Sequence, residues 1–68
     1  MDMQIGDLYR RTRGYGASRN VIALITNLIY DKPTKGYVVV YELYGDVEYV
    51  GETSSMMKDI FTNFYDPI

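Results

Sequence analysis

Five short, apolar-rich extended segments separated by turn-forming residues dominate the pattern of this chain. The clearest run is Tyr37–Tyr44, which reads Tyr-Val-Val-Val-Tyr-Glu-Leu-Tyr. Its β-branched and aromatic content predicts a strand. Alternation places Tyr37, Val39, Tyr41 and Leu43 on one face and Val38, Val40, Glu42 and Tyr44 on the other. Glu42 marks its own face as the wetter one, so Val39, Tyr41 and Leu43 are the expected core residues. Gly45-Asp46 reads as a two-residue hairpin connection, with Val47–Val50 as the returning strand. Asn20–Tyr30 predicts the longest strand. Its apolar residues occupy both parities, with Ile22, Leu24 and Leu28 on one and Val21, Ala23, Ile25 and Ile29 on the other. That pattern suits a central, strongly curved strand covered on both sides.

The remaining segments are shorter. Gln4–Tyr9 predicts a first strand bent at Gly6-Asp7, and Arg10–Arg19, with its two glycines, reads as a loop. Asp31–Gly36 is a turn in which Pro33 fixes one φ and Gly36 frees another. Thr53-Ser54-Ser55 places capping hydroxyls before good helix formers, so one or two helical turns are expected up to Ile60. A last strand over Phe61–Tyr65 then closes the sheet and Asp66-Pro67 ends it. A single amphipathic helix over Ser54–Tyr65 is the alternative, since Met56, Met57, Ile60, Phe61 and Phe64 share one helical stripe. The fold class is therefore mainly β: one domain over residues 1–68, a five-stranded barrel or roll with one short C-terminal helical turn or helix.

This order of a strand, a long loop, a meander, a short helical element and a last strand resembles the SH3-like barrel. The opening Gln4-Ile5-Gly6-Asp7-Leu8-Tyr9-Arg10 also resembles the start of small SH3-like proteins encoded by tailed bacteriophages. Many of those carry a Trp in the third strand, and this chain has none. The resemblance implies a fold and a viral origin, with a minor virion component among the roles it allows, and it implies no activity.

Composition narrows the picture. A chain of 68 residues hides only about 60% of its unfolded surface on folding, so good packing or self-association has to supply its stability. Disulfides and the usual zinc sites do not contribute, because Cys and His are both absent, and no cofactor is expected. Met1–Gln4 lacks the basic and apolar regions of a signal peptide. The longest apolar run, Val21–Ile25, is too short to span a bilayer. A cytoplasmic protein is expected, in the host cytoplasm if viral, with no membrane contact.

The formal charge of −2 conceals an uneven distribution. Residues 1–36 hold six Lys/Arg against three Asp, whereas residues 37–68 hold one Lys against six Asp/Glu. Four of the cations, Arg10, Arg11, Arg13 and Arg19, lie within ten residues, beside Tyr9 and Tyr15. Guanidinium groups pair with carboxylates or phosphates, and a tyrosine ring stacks on a base or on arginine itself. Arg10, Arg11, Arg13, Tyr15, Arg19 and Tyr9 are therefore the candidate partner-binding residues, and replacing Arg10, Arg11 and Arg13 together is expected to leave folding nearly unchanged. The expected function is that of a small non-enzymatic module contacting a protein partner or a second copy of itself, as a homo-oligomer. Weak nucleic-acid binding through the same arginines is the alternative, and the acidic balance works against it. The bland reading of the same residues is ordinary solvated surface charge, or pairing with the acidic second half of the chain.

Catalytic arrangements are poorly supplied. Without His or Cys the common bases and nucleophile pairs are missing. Gly36-Tyr37-Val38 with Tyr49-Val50-Gly51 resembles the paired tripeptides of the GIY-YIG nucleases. That family also needs a later arginine and a metal-binding glutamate, but no Arg follows Arg19 and no Glu follows Glu52. Asp46 and Glu48, two apart in the expected hairpin, read as solubilising charge.

Overall fold

The computed structural model describes residues 2–14 and 17–68. Five strands and one helix follow in the order β1 (Leu8–Arg11), β2 (Val21–Asp31), β3 (Gly36–Gly45), β4 (Thr53–Met57), α1 (Lys58–Phe64) and β5 (Tyr65–Pro67). All pairings are antiparallel, and the strands lie in the order β4-β3-β2-β1-β5. The chain is mainly β with one short helix, as expected, but the sheet is not closed, since β4 and β5 form its two edges.

The long β2–β3 hairpin is the spine. Val39 and Tyr41 are buried and Leu43 packs against the same cluster, as their parity requires. Sequence parity misleads in β2, whose two faces are not both covered. Register runs Ile25↔Tyr41 and then Asn27↔Val40, so Thr26 is an extra residue, a β-bulge. Its hydroxyl donates to the Val40 carbonyl at 3.2 Å. Before the bulge Val21, Ala23 and Ile25 point inward; after it Leu28, opposite Val39, takes the inward place. The switch of apolar parity records a bulge.

Other expectations are corrected as well. Residues 4–7 form a turn, with the Asp7 amide donating to the Gln4 carbonyl, and β1 begins only at Leu8. Arg10 and Arg11 therefore belong to a strand. The tight hairpin at Gly45-Asp46 does not form. Gly45 has φ +88° and packs so closely on β2 that a Cβ there would run into the Asn20 carbonyl oxygen. The Asp46 amide then donates to Asn20, so the chain continues along the start of β2 and only Gly51 and Glu52 return to pair with Leu43. The returning strand is Thr53–Met57, where helical turns were expected, and Tyr49 lies exposed in the loop.

Edge pairing with β3 explains that override. Ser54 and Met56 sit opposite Tyr41 and Val39, so strand geometry turns Met56 against the core. No hydroxyl caps the helix that follows: its N-cap is Met57, without a side-chain bond. The helix spans Lys58–Phe64 and the last strand Tyr65–Pro67, so neither the Phe61–Tyr65 strand nor the Ser54–Tyr65 helix forms.

α1 crosses the inner face of the sheet and delivers Phe61, which is fully buried, to the centre of the core. Its ring stacks on Tyr65 at 4.3 Å and meets Tyr41 at 5.1 Å and Tyr9 edge-on at 5.3 Å. Such pairs each add to the simple burial of apolar area. The three tyrosines come from β1, β3 and β5, so one phenylalanine ties both halves of the sheet together.

Candidate functional site

The arginine-rich segment divides into structural and accessible residues. Tyr9 is turned inward by the alternation of β1 and belongs to the core, where burial raises its phenol pKa above the ordinary value. Arg11, on the same face, lies over the rings of Phe64 at 5.3 Å and Tyr65 at 5.6 Å, within cation–π range. Burial holds the pKa of Tyr65 above its ordinary value, against a smaller opposing effect from the Arg11 guanidinium.

Arg13 is committed further. Its guanidinium donates to both carboxylate oxygens of Asp66, at 3.0 and 3.1 Å, and to the carbonyls of Asn63 at 2.6 Å and Thr62 at 2.9 Å. Those carbonyls lie in the last turn of α1, where backbone acceptors lack helical donors and a cation is favoured. Thr12 adds a hydroxyl bond to Asp66 at 2.8 Å, and both donations hold the Asp66 carboxyl below the usual carboxylate range. The Thr12 and Arg13 amides both donate to the Phe64 carbonyl. Gly14 follows with φ +81°, where a Cβ would come 2.6 Å from the Phe64 ring. Arg13 thus clamps the helix end to β5, and the expectation that this arginine is dispensable for folding is corrected. No sequence signal links positions 13 and 66; only the β1–β5 pairing brings them together.

Two arginines remain accessible. Arg10 stands exposed on the outer face, opposite Ile22 and Asp66 in register. Arg19 stands exposed two residues before β2. Neither makes an ion pair among the described residues, where Arg13–Asp66 is the only such pair. Tyr15 lies outside the described residues.

Arg19 borders a shallow depression of about 240 Å³ between the β1–β2 loop and the β3–β4 loop. Arg11 and Arg19 give it a cationic side, while Asp46, Glu48 and Glu52 give it an acidic side. Val21, Leu43, Val47 and Tyr65 supply apolar surface. Sequence reasoning found the cations here. It missed the carboxylates as their neighbours, because it placed Asp46 and Glu48 on a tight hairpin that does not exist. Another hollow of about 310 Å³, bordered by Met3, Leu28 and Tyr37 at the opposite end of the strands, has only Asp2 and Lys58 as charged neighbours. Among the described residues no group of three or more carboxylates is placed to hold a metal ion, and no helix is long and apolar enough to cross a membrane. No family model, curated protein or solved structure matches this chain.

Proposed function

We propose that this chain is a small SH3-like roll acting as a non-enzymatic binding module. It holds an extended segment of a protein partner in the depression between the β1–β2 and β3–β4 loops. The meander order, with a short helix before a last strand that pairs with the first, supports the SH3-like reading. The opposed charge of the two loops around an apolar floor carries the functional one. A peptide strand with a carboxylate on one side, a cation on the other and an apolar residue between them fits that arrangement. The Arg19 guanidinium grips the carboxylate, and Glu48 takes the cation.

Nucleic acid fits less well. Arg11 and Arg13 already have intramolecular partners, and three carboxylates border the depression. Arg10 and Arg19 neutralising one phosphate each would give a slope of log affinity against log salt of only about 2.

Affinity capture from host lysate, with and without nuclease, tests the proposal. Nuclease leaves the captured protein in place, whereas Arg19→Ser and Glu48→Lys each remove it without altering the melting temperature. Capture that vanishes with nuclease, or that survives both substitutions, overturns the proposal.

A further inference from the structure

The two edges of the sheet differ. β5 is short, carries the charge of Asp66 and contains Pro67, which has no amide to donate, so it resists further pairing. β4 reads Thr-Ser-Ser-Met-Met, without a charge or a proline. Nothing in its sequence protects it.

Backbone phase identifies which of its groups are free. The Leu43 amide donates to the Glu52 carbonyl at 3.1 Å, and the Leu43 carbonyl accepts from the Gly51 amide at 2.7 Å. Leu43 therefore presents its backbone to the β4 side, and by alternation so do Tyr41 and Val39. Their register partners Ser54 and Met56 answer them. Thr53, Ser55 and Met57 consequently turn their backbone groups away from β3, and no loop or turn hydrogen bond among the described residues engages their amides.

We infer that β4 pairs antiparallel with β4 of a second copy about a two-fold axis at Ser55, joining two sheets edge to edge. Charge complementarity selects a copy of this chain as the occupant. The strand is flanked by exposed Glu52 on one side and partly exposed Lys58 on the other, each three residues from Ser55. An axis at Ser55 sets Ser55 against Ser55, Thr53 against Met57, and Glu52 against Lys58, so the last pair forms twice with opposite charges facing. Neither residue has an ion-pair partner among the described residues. The outer face beside this edge is apolar, with Val38 and Val40 on β3 and Ile29 on β2, which is 48% exposed. Thr53–Met57 lies outside the lining of the depression, which shares only Glu52 with this edge, so the dimer forms whether or not a partner segment binds there.

Sedimentation equilibrium of the whole chain, without any partner, should show a monomer–dimer equilibrium. Glu52→Lys and Lys58→Glu each set like charges together twice, and each weakens the dimer about tenfold, as two exposed pairs turn from attraction to repulsion. The double reversal restores it. The native chain has no Cys, so a single introduced thiol reports on symmetry. Ser55→Cys oxidises to a linked dimer on a non-reducing gel, because residues facing each other across antiparallel strands lie about 5.5 Å apart, within disulfide reach. Thr53→Cys does not, since the two copies of residue 53 would be roughly 13 Å apart along the strands. A monomer at every concentration, equal crosslinking at positions 53 and 55, or failure of the double reversal to rescue would each overturn the inference. Dimer crosslinking through Ser55→Cys that persists when lysate capture fails would leave this edge standing and remove only the depression.

Discussion

Replacing Phe61 tests the account of the core most directly. Its side chain is fully buried and contacts three tyrosine rings between 4.3 and 5.3 Å away. Truncation of a buried phenylalanine to alanine costs about 3–5 kcal/mol. The stacked contact with Tyr65 and the contacts with Tyr9 and Tyr41 place Phe61→Ala toward the upper half of that range, at about 4 kcal/mol. A domain of this length has a total stability of roughly 3–10 kcal/mol. The variant is thus unfolded before denaturant is added if the native stability lies at the low end of that range, and keeps about 6 kcal/mol if it lies at the high end. Phe61→Leu keeps most of the volume and loses the ring contacts, so it should stay folded and melt about 5–10 °C lower, a cost of about 1–1.5 kcal/mol. Far-UV circular dichroism followed through heat and urea reads both. Ile60→Ala is the control: that neighbour is 49% exposed, and its loss should cost no more than about 0.5 kcal/mol. A Phe61→Ala cost below about 1 kcal/mol, or an Ile60→Ala cost that matches it, would show that α1 presents a different face to the sheet.

The clamp and the titrating groups give two further expectations. Arg13→Ala should destabilise by about 1–2 kcal/mol from its bonds to the helix carbonyls alone, discounted for a half-exposed side chain. Arg13→Lys recovers only part of this because an ammonium cannot reproduce the fork, and Arg10→Ala is neutral; equal melting of all three in calorimetry would disprove the clamp. In acid, the folded Asp66 carboxyl binds its proton less readily than the unfolded one does. Its contribution is thus complete above the ordinary carboxylate pKa, near 4, and is lost as pH falls through the depressed value. Asp66→Asn should flatten that limb of the stability–pH curve. In alkali, Tyr9, Tyr44 and Tyr65 have raised pKa values, through burial for Tyr9 and Tyr65 and through the hydrogen bond to Glu42 for Tyr44. The unfolded chain then loses phenolic protons first, so stability declines as pH rises past about 10. A denaturation midpoint that does not fall there would contradict the burial of Tyr9 and Tyr65.

What was legible in the sequence follows how local the determining interactions are. β3 was legible because its own alternation states which side is wet, and Val39, Tyr41 and Leu43 fall where Glu42 predicts. β2 was legible as a strand, but its bulge was hidden in a change of apolar parity between Ile25 and Leu28 that double coverage explains equally well. β4 was not legible. Thr53–Met57 has hydroxyls where a helix cap would have them, and only the edge of β3 makes it a strand. The accessible arginines could not be separated from the committed ones either. Arg13 and Arg10 are chemically the same residue in the same polar context, and what distinguishes them is a carboxylate and two carbonyls 49 to 53 positions away.

The same distance explains what becomes of the uneven charge. A basic first half and an acidic second half would suggest a molecule with two opposed electrical faces, attracting partners over long range. Antiparallel pairing of β1 with β5 instead lays Arg10, Arg11 and Arg13 alongside Tyr65–Pro67, and the β3–β4 loop brings Asp46, Glu48 and Glu52 up to Arg19. The fold interleaves the charges that the sequence separates. Fields from neighbouring opposite charges cancel beyond a Debye length of about 8 Å in physiological salt, so long-range steering is weak. Recognition then depends on contact-range complementarity, where a carboxylate and a cation must both meet their counterparts. For the proposed binding module, that requirement favours a polypeptide strand carrying both signs over a uniformly anionic polymer.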